Sequence, residues 1–98
     1  MYYQQGDVII EQYDGEIVGE KVKELVLAEG ELTGHAHRVR GGLSELFETG
    51  STKYLAVKEP VKVTHEEHGV IDLPVGTYRV RKVREYDHFA EEAREVQD

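Results

Sequence analysis

Two closely spaced pairs of histidines are the residues in this chain whose types and spacing could do chemistry. His35 and His37 are separated by one residue, and His65 and His68 enclose two glutamates. Imidazole nitrogens and carboxylate oxygens are the usual protein ligands of divalent transition metals. Histidine is also the side chain that most readily exchanges a proton near neutral pH. The pairs therefore indicate a metal centre or an acid–base site.

The alternation of side chains along strands predicts which histidines come together. His35 and His37 share a strand face with Val39, because side chains two positions apart point the same way. In the segment 61–65 the apolar face is formed by alternate valines, and His65 continues that face. We therefore expect the rings of His35, His37 and His65 to converge inside the mouth of one barrel.

The predicted metal ligands are the four paired histidines, His35, His37, His65 and His68. Among them, His68 is the one that we expect to be a bystander, since it follows the turn and continues no strand face. A ligand set of nitrogen and oxygen without sulfur favours Zn, Mn, Fe, Ni or Cu over Ca or Mg. Glu66 or Glu67 is predicted to act as a catalytic general base beside the metal.

Size and composition define a single small domain. The 98 residues carry a net charge of −8 with neutral histidines, and 33% of them are charged. This charge argues against general binding to nucleic acid or to an anionic membrane. There is no cysteine, no apolar leader and no apolar run of transmembrane length, so we expect a cytoplasmic protein. We predict one β domain over residues 1–87 and an acidic tail over 88–98.

Short β-rich segments separated by turn residues predict an all-β fold, either a small antiparallel barrel or a sandwich. Gly41-Gly42 is predicted to be a hairpin turn that joins the first histidine strand to a partner strand over 43–48. The apolar run 25–28 is predicted to be a strand buried on both faces, and residues 77–86 a long strand. The short polar tail has helix-favouring composition.

The segment around the first pair is similar to the first motif of the cupin barrels. Residues 30–37, followed by Glu45 and Gly50, resemble a pattern of glycine, then two histidines one residue apart, then glutamate and glycine. The resemblance implies a barrel in which His35, His37 and Glu45 bind a metal ion.

The segment 69–78 is similar to the second cupin motif, in which a glycine, a proline and another glycine precede a histidine. In this chain the position of that histidine is Arg79, and a guanidinium stays protonated and cannot bind a metal ion. The neighbouring Tyr78 carries a hydroxyl group that can transfer a proton, and we include it as a catalytic candidate.

A second resemblance covers nearly the whole chain. The motifs TGHAH at 33–37 and THEEH at 64–68, with flanking segments from Gly6-Asp7 to residue 87, resemble a group of short uncharacterised proteins in bacterial and phage genomes. This resemblance implies that the two histidine pairs belong to one site, and it implies no particular activity.

Three functions are compatible with these residues. We favour a metal-binding small enzyme or ligand-binding domain, with hydrolysis of a small-molecule or phosphate-containing ligand as its reaction. The second interpretation is a non-enzymatic module of phage or mobile-element origin that forms homo-oligomers through exposed strand edges. The third is a metal-free histidine phosphodiesterase, in which arginines would hold the phosphate: Arg38, Arg40, Arg79 or Arg81.

Overall fold

The computed structural model describes residues 2–30 and 34–83, and every regular element within these ranges is a β-strand. The strands are β1 (Tyr2–Gln5), β2 (Val8–Gln12), β3 (Glu20–Val22), β4 (Val26–Glu29), β5 (Ala36–Arg40), β6 (Leu43–Thr49), β7 (Thr52–Glu59), β8 (Val61–Thr64), β9 (Ile71–Leu73) and β10 (Gly76–Lys82). Among the described residues there is no helix that could span a membrane. The helical tail predicted from composition lies outside the described residues.

The strands form two antiparallel sheets, which confirms the predicted fold class in its sandwich form and not as a closed barrel. The larger sheet has the order β1-β2-β10-β7-β6-β3, and the smaller has the order β4-β5-β8-β9. Apolar side chains of both sheets pack against each other and form one core. The side chains buried most completely in it include Val8, Ile10, Leu46, Leu55, Val63, Leu73 and Tyr78.

The Gly41-Gly42 turn is not the predicted hairpin. β5 pairs with β4 and β8, whereas β6 pairs with β3 and β7. The two glycines therefore carry the chain from the smaller sheet to the larger one, and both have positive φ. A Cβ atom on Gly42 would collide with the carbonyl oxygen of Pro60. Pro60 joins β7 to β8, so the two crossings between the sheets pack against each other at one corner.

The strands differ from the prediction at two further places. The apolar run 25–28 does not lie at the centre of a sheet: β4 is an edge strand, and of its residues only Leu27 is buried. Sequence reasoning also missed β1 and β9, because β1 is polar and β9 has only three residues. β1 pairs with β2 across the two-residue turn Gly6-Asp7, in the register Gln5 to Val8.

The arrangement of the strands places both histidine pairs at one end of the sandwich. β5 and β8 are neighbours, with Arg38 opposite Thr64. His37 on β5 is therefore close to His65, which follows the last residue of β8. The β1–β2 turn of the larger sheet covers the same end, because Gln5 reaches the backbone of β8.

Candidate functional site

The four histidines meet in one cluster, which we call the histidine cluster (His35, His37, His65 and His68). The ring of His65 lies at its centre, with ring centroids 4.3 Å from His37, 4.7 Å from His68 and 5.5 Å from His35. The structure thus brings together the three rings that the strand registers predicted to converge. The cluster lies at the end of a sandwich and not inside a barrel mouth.

The ring of His68 also packs into the cluster, although His68 is not part of the ligand group described below. Its ring lies parallel to that of His37 at a centroid distance of 6.4 Å and contacts His65. A Cβ atom on Gly6 would lie 2.6 Å from the Nε2 of His68, and Gly6 has a φ of 59°. Glycine at this position therefore allows the positive φ of the β1–β2 turn and leaves room for the His68 ring.

Gln5 fixes the orientation and the proton of His37, which is the buried member of the cluster with 4% of its surface exposed. The Gln5 amide nitrogen donates to the carbonyl oxygens of Val63 and Gly69, at 3.0 and 2.8 Å. Its Oε1 must therefore face the Nδ1 of His37, which lies 2.8 Å away. Since an amide oxygen only accepts, Nδ1 carries the proton and Nε2 carries the lone pair in the neutral ring.

The same amide group holds the turn that carries the second histidine pair. Val63 and Gly69, whose carbonyls accept from Gln5, lie on either side of residues 64–68. One buried side chain therefore connects His37 with the turn of His65 and His68. This is the arrangement that orients metal-binding histidines in proteins, where an outer hydrogen-bond partner selects the ring nitrogen that faces the ion.

Burial, and after it the neighbouring ring of His65, lower the pKa of His37 to about 4, while the carboxylate of Asp7 acts in the opposite direction. The ring is thus neutral at physiological pH, which is the form that can bind a metal ion.

His35 has an outer partner of the same kind. Its Nδ1 lies 3.0 Å from the Oε1 of Glu67, so the carboxylate accepts the Nδ1 proton and the lone pair of the neutral ring is on Nε2. In the turn itself, the backbone N–H of Glu67 donates to the Nδ1 of His65 at 3.0 Å. Glu67, predicted to be a general base, is placed here as the partner of a histidine.

Glu66 connects the turn to β5. Its Oε1 accepts the backbone N–H of Ala36 at 2.9 Å, and its Oε2 accepts from Arg38 at 3.0 Å. These hydrogen bonds, with the one from Ala36 first, lower the pKa of Glu66 to about 2. A carboxylate that stays ionised throughout the physiological range is a suitable metal ligand and a poor general base.

Three of these side chains have a geometry that could hold a metal ion. His35, His65 and Glu66 each place one potential ligand atom within 4.8 Å of the others. A cavity of about 120 Å³ lies beside them, lined by Asp7, Ala28, Glu29, Gly30, His35, His37, His65, Glu67 and Lys82. A larger cavity of about 620 Å³ lies at the corner where the chain crosses between the sheets, but its lining includes no histidine. The smaller cavity is the candidate site because histidine and carboxylate side chains line it.

The structure does not bring several other candidates to the cluster. Tyr78 is 1% exposed, and its hydroxyl donates to the carbonyl of Pro74 at 2.7 Å. Glu45, the ligand implied by the cupin resemblance, is paired with Lys21 and Lys58. Of the arginines proposed to hold a phosphate, Arg79 and Arg81 bind Glu11, Arg40 lines the larger cavity, and Arg38 is engaged by Glu66.

Two residues of the site were missed by sequence reasoning, Gln5 and Asp7. They flank and form the β1–β2 turn, which lies sixty residues away in sequence from the turn of His65. A signal was available, since Gly6-Asp7 between two extended segments is a dipeptide typical of two-residue hairpins. Recognising that hairpin would have placed a polar strand beside β2, although not its contact with His37.

No curated protein and no solved structure matches the chain. The model of a family described as a domain of unknown function (DUF8820) matches residues 4–83. These residues include both histidine pairs, Gln5, Asp7 and every strand from β2 to β10. The chain therefore belongs to the DUF8820 family.

Proposed function

We propose that this domain binds a divalent transition metal ion through His35, His65 and Glu66. The observation that carries the proposal is the mutual approach of their three ligand atoms to within 4.8 Å. Two histidine nitrogens and a carboxylate oxygen are a ligand set typical of zinc and of the neighbouring transition metals. The carboxylate of Glu67 on the Nδ1 of His35 supports Nε2 as the ligand atom of that ring.

His65 must change one hydrogen bond in order to bind the ion. Its Nδ1 lone pair accepts the N–H of Glu67 in the structure. A metal ion on Nδ1 would take that lone pair, and one on Nε2 would leave the proton on Nδ1, so binding through either nitrogen ends the bond. Glu67 is exposed, and water can take the place of the lost acceptor at little cost. The exposed turn is therefore the part of the site that adjusts when the ion binds.

Isothermal titration with Zn²⁺ and Co²⁺, on protein purified without a histidine tag, tests this proposal. The double variant His35→Ala/His65→Ala is expected to weaken binding by at least about 100-fold, more than the loss of an outer partner alone. Glu45→Gln is the matched control, because Glu45 is the ligand in the cupin arrangement but is paired with lysines here. Unchanged binding in the double variant, or a loss in the Glu45 variant, would contradict the proposed ligand set.

Three protein ligands leave a fourth position of a tetrahedral ion for water, as in catalytic zinc sites. Such an ion lowers the pKa of its bound water toward neutrality and supplies a nucleophile for hydrolysis. We infer hydrolysis of a small ester as the activity, since the cavity of about 120 Å³ admits only a small group. Cleavage of p-nitrophenyl acetate by the zinc-loaded protein, lost in His35→Ala/His65→Ala, is the expected result. No difference between the two would leave the ion with a structural role.

A further inference from the structure

Asp7 has no role in the site proposed above, yet its carboxylate faces the buried nitrogen of His37. Its Oδ1 lies 3.5 Å from the Nε2 of His37, and its Oδ2 lies 3.6 Å from the Nζ of Lys82. Asp7 is the second residue of the β1–β2 turn, whose preceding residue Gln5 holds the other nitrogen of the same ring. Gln5 and Asp7, on either side of Gly6 in one hairpin, thus contact the two ring nitrogens of His37.

The separation of 3.5 Å between these two atoms is at the long end for a direct hydrogen bond and is too short for a bridging water. Charge-assisted N–H···O bonds are about 2.7–2.9 Å long. A water molecule that bonded both atoms would hold them about 4.6 Å apart, from two hydrogen bonds of about 2.8 Å. Two ligand atoms that share a tetrahedral zinc ion, each about 2.0–2.1 Å from it, lie about 3.4 Å apart. The observed distance of 3.5 Å between His37 Nε2 and Asp7 Oδ1 is compatible with the last of these.

The hydrogen bonds of Gln5 leave His37 Nε2 and Asp7 Oδ1 facing each other as two hydrogen-bond acceptors. With the proton of the neutral ring on Nδ1, the lone pair of His37 Nε2 faces a carboxylate oxygen of Asp7. Two acceptors directed at each other in a half-buried site are stabilised by a cation between them. Lys82 contacts the far oxygen of Asp7 and therefore does not occupy that position.

We propose that His37 Nε2 and Asp7 Oδ1 hold a second divalent transition metal ion beside the one assigned to His35, His65 and Glu66. The proposal rests on the proposed function in that both ions share one cavity, which Asp7, His35, His37 and His65 all line. The ring centroids of His37 and His65 are 4.3 Å apart, so a ligand of each proposed ion belongs to neighbouring rings of the same cluster. Two protein ligands leave positions on this ion for water and for an oxygen of the substrate.

Zinc content per chain, measured by mass spectrometry after dialysis against Zn²⁺, tests the proposal. We expect two ions in the wild type and one in Asp7→Asn, whose side chain is 45% exposed and is therefore a safe position for folding. Asp72→Asn is the matched control, since Asp72 is likewise an exposed aspartate paired with a lysine, Lys62, and lies outside the cavity. It should keep both ions. A single ion in the wild type that Asp7→Asn retains would overturn the second position.

The variant His35→Ala/Glu66→Gln separates this proposal from the proposed function. If both hold, it also retains one ion, and adding Asp7→Asn to it removes the last. If the double variant loses nothing while Asp7→Asn loses an ion, the first ligand set fails and the His37–Asp7 position stands. Absorption spectra of the Co²⁺-loaded forms supply an independent reading, because each position should contribute its own bands and Asp7→Asn should remove one set.

Discussion

The two halves of the histidine cluster are built in opposite ways. His37 is buried, and Gln5 fixes its Nδ1 within the hydrogen-bonded frame of both sheets. The turn of residues 64–68 is half-buried or exposed, and its hydrogen bonds are made within the turn and to β5. The buried half supplies a ring whose geometry is set by folding. The exposed half supplies ligands that can move and that solvent can reach. Solvent access therefore belongs to the exposed half, and fixed geometry belongs to the buried half.

The largest expected difference between the halves is in their contribution to folding. His37→Ala should lower the free energy of unfolding by about 3 kcal/mol, because it leaves a cavity and removes the partner of the buried Gln5 amide oxygen. His68→Ala is the matched control on the exposed half and should change it by less than about 0.5 kcal/mol. Urea denaturation followed by circular dichroism measures both. Equal losses in the two variants would show that the halves do not differ.

The pH dependence of stability sharpens the comparison, since only the buried ring has a strongly lowered pKa. The folded pKa of His37 is about 4, against 6.5 for the unfolded chain. The unfolded state therefore binds more protons as the pH falls from about 6.5 to about 4, and stability is lost in that window. We expect metal-free protein to lose about 2 kcal/mol between pH 7 and pH 4.5.

His37→Gln provides the control for this prediction, because its amide can donate to Gln5 but does not titrate. Its stability should vary little over the same pH range when measured by urea denaturation at each pH. A wild-type protein whose stability stays constant from pH 7 to pH 4.5 would contradict the prediction and show that the ring of His37 remains accessible to protons.

The smallest expected effect belongs to Glu66 in the exposed half. Its pKa is lowered to about 2, so the stability that its ionised form contributes is lost only as the pH falls from about 4.5 to about 2. Glu66→Gln should leave the urea midpoint at pH 7 closer to the wild type than His37→Ala does. The variant should also remove part of the stability loss below pH 4.5. A larger change at pH 7 than in His37→Ala would reverse the comparison.

The fold class and the members of the histidine cluster could be predicted from the sequence more fully than the residues that surround the cluster. Alternation along β5 and β8 was sufficient to place three rings together, because the period of a strand is fixed. It could not show that Gly41-Gly42 changes sheets, since a hairpin and a crossing can use the same glycines. It also could not reveal Gln5, whose role depends on β1 packing against residues about sixty positions later.

The hydrogen bonds of Gln5 also limit how the length of the chain can vary. One amide group donates to the carbonyls of both Val63 and Gly69, so these two carbonyls must stay within reach of a single side chain. An insertion or deletion between them would displace one carbonyl from the amide and turn the histidines away from β5. The loop over residues 14–18 is mostly exposed, although its ends are fixed by the hydrogen bond from Tyr13 to Thr77 and by the close approach of Gly19 to Glu48. Natural variants of this domain should therefore differ in length in that loop and keep the histidine turn at a constant length.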